Sequence, residues 1–139
     1  MPEAESKTTT RLTGRPAHQS PERELPAGKI EVMPRAIASI AGRAVAESYG
    51  VVGVAAKRPR TIGVELLAPE HYGRGIEVHF ADDYITIDLY LVLEYGLRIT
   101  EIAHNVMSNV KFAVEQALGL QVVKINVNVQ ALRVSSVVS

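Results

Sequence analysis

The segment 84–95 places the strongest constraint on the fold, because apolar and polar residues alternate along it. Such alternation has the two-residue period of a β-strand with one apolar face. At roughly 3.3 Å per residue the strand would be about 40 Å long. One face would carry Ile85, Ile87, Leu89, Leu91 and Leu93, and the other Thr86, Asp88, Tyr90 and Glu94.

Two other segments have the spacing of amphipathic helices. Apolar residues recur every three or four positions after Pro34, which suits the first turn of a helix, and Gly50 is expected to stop it. A second helix is predicted over 99–117, with Gly119 as its C-terminal stop. At about 1.5 Å per residue this helix would be roughly 30 Å long, which matches the long strand.

Shorter strands surround these elements. They are predicted over 29–32, 51–56, 76–80 and 123–131, with an extra strand allowed near 61–67 and a loop over 68–74. The order β-α-β-(β)-β-β-α-β predicts an α/β (α+β) fold, a two-layer sandwich in which two helices cover one face of a mixed sheet. The uncovered face would carry Glu77, His79, Thr86, Asp88, Asn126 and Asn128. The pairing order of the strands does not follow from these patterns.

The first 28 residues differ in composition from the rest of the chain. They contain four of the seven prolines and eight charges, and their only large apolar residues are Met1, Leu12 and Leu25. Such a stretch cannot bury enough apolar surface to offset its loss of conformational entropy. We therefore expect a disordered tail over 1–28, one domain over 29–134 and a short C-terminal tail over 135–139.

The composition excludes several kinds of function. The chain has 15 basic and 15 acidic residues, no cysteine and few aromatic residues, namely two Phe and five Tyr. Disulfides, thiolate metal sites and cysteine nucleophiles are thus impossible, and no overall charge attracts nucleic acid or anionic lipid. No apolar run is long enough for a signal peptide or a membrane span, so a cytoplasmic protein is expected.

No catalytic motif is evident in the sequence. The four histidines, His18, His71, His79 and His104, form no pair with metal-ligand spacing along the chain. Asp82 and Asp83 are expected in a turn, and neither a nucleophile elbow nor a P-loop is present. We therefore predict no enzyme activity, no catalytic residue, no cofactor and no metal. An enzyme that uses His71, His79 or Asp88 in a cleft is the weakest alternative.

One short run concentrates positive charge. Lys57, Arg58 and Arg60 flank Pro59 with no acidic residue nearby, and they are the candidate interaction patch. A solvated connection between strands is the simpler explanation of the run, because three charges fall short of the roughly 4–8 that mark membrane recognition. The alternative function that this patch suggests is a nucleic-acid-binding regulator.

A series of motifs extends over about 28–134, namely GKIEV (28–32), IAG (40–42), YGVVGV (49–54), DLYLVLEYG (88–96), ITEIA (99–103), NVK (109–111) and GLQVVKINVNV (119–129). Together they resemble the alkaline-shock, or envelope-stress-response, protein family of Gram-positive bacteria. Two features depart from the family pattern. Thr100 replaces a frequent proline at the start of the second helix, and members vary in length over 57–72.

The resemblance implies a small cytoplasmic domain that has no established catalytic residue and takes part in cell-envelope homeostasis. It also implies protein partners, among them membrane-anchored ones, and self-assembly into homo-oligomers. The function expected from the sequence is thus a non-enzymatic scaffold or adaptor of the envelope stress response. Its binding surface is expected at an exposed sheet edge or on the polar sheet face, with self-association through strand pairing.

Overall fold

Six strands, two α-helices and one 3₁₀ helix make up the described part of the chain. The structure is a computed structural model that describes residues 22–57, 64–81, 84–119 and 123–134. Its elements in chain order are β1 (Glu22–Leu25), β2 (Gly28–Glu31), α1 (Pro34–Ala46), β3 (Val51–Val54), a 3₁₀ helix (Pro69–Arg74), β4 (Ile76–Phe80), β5 (Ile85–Glu94), α2 (Ile99–Leu118) and β6 (Val123–Arg133).

Strand β5 is the long strand predicted from the alternating segment, and it lies at the centre of the sheet. The five apolar residues of its inner face are fully buried: Ile85, Ile87, Leu89, Leu91 and Leu93. Thr86, Asp88 and Tyr90 on the opposite face remain half-buried. The alternation in the sequence therefore identifies the buried face of this strand correctly.

Strand β5 pairs with three other strands along its two edges. β4 is antiparallel to its first half, from Ile76 opposite Leu89 to Phe80 opposite Ile85. β3 is antiparallel to its second half, and β6 runs parallel to it over the whole length. Because a strand has only two edges, β3 and β4 lie end to end along one edge, and β6 lies along the other. The mixed sheet predicted from the sequence is confirmed.

Both predicted helices are present and pack on the inner face of the sheet. α1 begins with Pro34 at its first turn, and α2 ends at Gly119, whose left-handed φ of 74° suits glycine. Their buried stripes join the apolar face of β5 in one core; the stripe of α2 consists of Ile102, Val106, Val110 and Val114. α1 ends at Ala46, four residues before the predicted stop at Gly50.

The N-terminal part of the structure differs from the sequence prediction. The range 1–28 is expected to be disordered, yet β1 (Glu22–Leu25) pairs antiparallel with β2 in a hairpin. All of β2 is exposed, so this strand has no buried apolar face that the sequence pattern would reveal. The backbone hydrogen bonds of the hairpin rather than burial define it.

The connection between β3 and β4 also contains more structure than predicted. Residues 69–74 form a 3₁₀ helix where a loop is expected, with Pro69 at its start. The extra strand allowed near 61–67 is reduced to a single bridge between Ala55 and Leu66 in the part of this segment that the structure describes.

Several predictions concern residues outside the described ranges. These are the disorder of 1–21, the turn at Asp82 and Asp83, the placement of Arg58 and Arg60, and the tail over 135–139.

Candidate functional site

The outer face of the sheet is polar, as the sequence predicts, and its side chains connect the strands. Each described residue expected on this face is exposed or half-buried. Asn126 of β6 lies opposite Asp88 of β5, and its Nδ2 donates to Asp88 Oδ1 at 2.8 Å. Asn128 Nδ2 donates to the backbone oxygen of Leu89 at 3.3 Å. These asparagines therefore tie β6 to β5 across the exposed face.

Lys57 is the described member of the candidate basic patch, and it lies over the same polar face. Its Nζ is 3.1 Å from Glu77 Oε1 and 5.7 Å from the centre of the Tyr90 ring. The charge of Lys57 is thus directed at a carboxylate of its own chain. Arg58 and Arg60 lie outside the described residues, so the patch as a whole stays a prediction.

The three histidines that the structure describes lie on different elements of the fold. His71 is exposed on the 3₁₀ helix, and His104 is exposed on α2. His79 of β4 is near Asp88, with 3.4 Å between His79 Nε2 and Asp88 Oδ2. Two of the three residues named in the enzyme alternative are therefore neighbours, while His71 belongs to a different element.

The second feature of the surface is the outer edge of β6. β6 has 11 residues, and among the described strands only β5 pairs with it. Its first residue has its backbone groups covered by α2: Lys111 Nζ donates to the Val123 oxygen at 3.0 Å, and the Val123 N–H donates to Glu115 Oε2 at 3.3 Å. Lys111 and Glu115 also form an ion pair at 2.9 Å.

The backbone groups of β6 alternate between β5 and the outer edge. In a strand, the N–H and C=O of one residue point to the same side, and those of the next residue point to the opposite side. Because α2 reaches both groups of Val123, those groups face outward, and so do the groups of Ile125 and Val127. Beyond Val123, no other described element bonds to these outward groups.

A groove runs along this open edge between α2 and the polar face. Ala103 and Met107 of α2 line one side, and Ile125 and Val127 of β6 lie at its base. Met107 and Val129 keep 38% and 36% of their surface exposed, which is high for apolar side chains next to a strand edge. The edge thus combines unpaired backbone groups with apolar surface, a combination that suits the addition of a strand.

The sequence predicts an exposed sheet edge or the polar sheet face as the binding surface, but it does not show that β6 provides the edge. Lys111 and Glu115 have the i, i+4 spacing of a helical ion pair, which is the only local signal. The ion pair covers the beginning of an edge strand only because β6 lies beside β5. The local sequence pattern does not predict this position of β6.

The fold and its surface define a class of protein: a small two-layer α/β domain with a polar sheet face and a long strand, β6, whose outer edge no other described strand covers. In the described residues, no helix is long and apolar enough to cross a membrane.

Comparison with known proteins identifies the family. A sequence model of the alkaline-shock protein 23 family, described as having a cell envelope-related function, matches residues 22–134. The chain belongs to this family, so the resemblance noted in the sequence is confirmed. The match begins at Glu22, the first residue of the hairpin that the sequence prediction assigns to the tail.

Two bacterial relatives are similar over most of their length. The uncharacterised protein YloU of Bacillus subtilis (strain 168) is 40% identical over 110 residues, which make up 78% of this chain and 92% of YloU. The uncharacterised protein Spy1614 of Streptococcus pyogenes serotype M6 is 38% identical over 108 residues, which make up 77% of this chain and 89% of Spy1614.

Among solved structures, MamM CTD M250L aligns with a TM-score of 0.41 and 17% sequence identity. The alignment covers 70% of this chain and 95% of that one.

Proposed function

We propose that this protein is a non-enzymatic cytoplasmic scaffold or adaptor of the cell-envelope stress response, and that it binds proteins through the outer edge of β6. The observation that carries the proposal is this open edge, which no other described strand covers. The envelope-related function of the family supports the cellular context. The partners would be proteins, including a membrane-anchored one that brings the domain to the envelope.

The occupant that the edge fits best is the β6 strand of a second copy. If two β6 strands pair antiparallel about a two-fold axis at Val127, that residue meets its own counterpart, and the outward groups of both exchange hydrogen bonds. Ile125 then lies opposite Val129, which faces outward by the same alternation. About six backbone hydrogen bonds would join the two copies.

The side chains around this axis are compatible with such pairing. On the polar face, Asn126 would lie opposite Asn128, so that no like charges meet, and the regular pairing would end at Val129, because β6 is irregular between Val129 and Ala131. On the helix face, apolar residues would lie opposite apolar residues, and the exposed surface of Met107 and Val129 would be covered. The alternation of polar and apolar residues along β6 is therefore compatible with antiparallel pairing between β6 and the same strand of a second copy.

Size-exclusion chromatography with light scattering tests the proposal on the full chain over a wide concentration range. The wild-type protein is expected to form dimers or larger assemblies. Val127→Pro removes one outward N–H, leaves the β5 ladder intact and should give a monomer. Val127→Ala is the matched control, because it shortens the same side chain but keeps the N–H.

Far-UV circular dichroism must show native secondary structure for both variants. A wild-type protein that stays monomeric at the highest concentration would refute self-association. A natively folded Val127→Pro variant that assembles like the wild type would show that the contact is not the β6 edge.

The alternative, a nucleic-acid-binding regulator, gains no support from the described part of the basic patch. Lys57 directs its charge at Glu77, 3.1 Å away. Binding to nucleic acid would have to break this contact or depend on Arg58 and Arg60. A binding assay at increasing salt, with Lys57, Arg58 and Arg60 replaced together by alanine, would detect such a function.

A further inference from the structure

Three metal-binding side chains meet on the polar sheet face where β4 pairs with β5. Glu77 lies directly opposite Asp88, and His79, opposite Thr86, is diagonal to Asp88. His79 Nε2 is 3.5 Å from Glu77 Oε1 and 3.4 Å from Asp88 Oδ2. The ligand atoms of the three residues all lie within 4.8 Å of one another. One imidazole nitrogen and two carboxylate oxygens therefore converge on a single point above the sheet.

Two of the three separations match those of a tetrahedral metal centre. Zinc holds nitrogen and oxygen ligands at about 2.0–2.2 Å, which places neighbouring ligand atoms about 3.3–3.6 Å apart. Both distances from His79 fall within this interval. The remaining separation, between the two carboxylates, can close by rotation of the Glu77 side chain, which has three torsion angles.

The surroundings hold the cluster in a defined and accessible position. Asp88 accepts a hydrogen bond from Asn126 on Oδ1, and this bond leaves Oδ2 directed at His79. Such support of a ligand by a neighbouring hydrogen bond is typical of metal sites. The side chains of His79, Glu77 and Asp88 are 55%, 29% and 21% exposed, so an ion can reach them from solvent.

The charges of the cluster favour a cation. Two carboxylates that face each other directly across an antiparallel pair destabilise the sheet. Lys57 lies at 3.1 Å from Glu77 Oε1 and offsets one of the two negative charges. A divalent cation between Glu77 and Asp88 would offset both negative charges, and each carboxylate would be attracted to the ion.

We propose that Glu77, His79 and Asp88 bind a zinc ion, with water as the fourth ligand. An imidazole with two carboxylates suits zinc, whereas magnesium and calcium prefer oxygen ligands throughout. Lys57 competes with the ion for Glu77. The strands of the domain thus carry a cation site in addition to the β6 edge.

Isothermal titration of the full chain with zinc chloride tests this site. One zinc ion per chain is expected to bind through the cluster. His79→Ala and Asp88→Asn should each weaken binding by at least about tenfold, since even a supporting neighbour of a ligand contributes that much. His104→Ala is the matched control: it removes an exposed histidine on α2 and should leave the affinity unchanged.

Lys57→Gln provides a second, independent test of the zinc site, because it removes the side chain that competes with the ion for Glu77. This variant should bind zinc as tightly as the wild type or more tightly, and weaker binding would contradict the arrangement. The proposal is also overturned if His79→Ala binds zinc like the wild type, or if His104→Ala loses as much affinity as His79→Ala. His79 is exposed, so its replacement leaves the core untouched.

Discussion

Replacement of Gly75 by alanine tests the end-to-end placement of β3 and β4. Gly75 precedes β4 and lies against the end of β3. A Cβ atom at this position would collide with the backbone oxygen of Ala55 and come within 2.7 Å of Val54 Cγ1. Ala55 and Val54 are buried at 0% and 1% exposure, so neither can move into solvent.

The hydrogen bonds around Gly75 prevent an easy adjustment. Tyr90 of β5 links the two strands, because its N–H donates to the Gly75 oxygen at 3.0 Å and its oxygen accepts from the Ala55 N–H at 2.8 Å. Relief of the collision would stretch at least one of these bonds. Overpacking costs about 1–3 kcal/mol and one weakened hydrogen bond about 1 kcal/mol. We therefore expect a loss of about 2–4 kcal/mol in the free energy of unfolding.

Urea and thermal unfolding, followed by circular dichroism, measure this loss. For a domain of about 100 residues, 1 kcal/mol corresponds to about 4–8 °C in Tm, so Gly75→Ala should lower Tm by at least about 8 °C. Gly73→Ala is the matched control, since a Cβ there meets no atom within 4 Å. If both variants unfold within about 0.5 kcal/mol of the wild type, β3 and β4 do not meet at Gly75 and the strand placement is wrong.

Three further substitutions, at Asn109, Ser48 and Gly119, probe the helices. Asn109 Nδ2 of α2 donates to the buried Ser48 Oγ at 3.0 Å, so Asn109→Ala and Ser48→Ala should each cost about 1 kcal/mol in urea unfolding. Their effects should not add in the double variant, and strict additivity would show that the bond contributes nothing. Gly119→Ala places a Cβ at φ 74° and should cost about 1–2 kcal/mol, and an unchanged urea midpoint would contradict the left-handed helix end.

The fold was predictable from the sequence where the signal is local and periodic. The burial of the inner face of β5 follows from its alternation, although Val92 on the opposite face is buried as well, and the buried stripe of α2 follows from its three- and four-residue spacing. The hairpin that begins at Glu22 lacks such a signal, because its second strand, β2, is exposed throughout. The parallel pairing of β6 with β5 is non-local, since α2 lies between the two strands in the chain.

The candidate sites were likewise predictable from the sequence only where the signal is local. The sequence correctly places Glu77, His79 and Asp88 on the polar face. It does not show that they meet, because the usual metal-ligand spacings apply to residues of one segment. The cluster forms across two strands, and its geometry depends on the register that places Glu77 opposite Asp88. Lys57 reaches Glu77 from 20 residues away in the sequence. Residue types alone therefore do not show which of these side chains are neighbours.

The two proposed sites share the central strand but can be separated by experiment. Asp88 connects them, because it belongs to the zinc cluster and bonds to Asn126 of β6. The edge offers the outward backbone groups of β6, such as those of Val127. Glu77 and His79 of the cluster belong to β4, which lies on the other side of β5. Val127→Pro should therefore abolish assembly without changing zinc affinity, and His79→Ala should weaken zinc binding without changing assembly. If each variant changed both properties, the cluster and the edge would be one coupled site, with Asn126 as the residue that connects them.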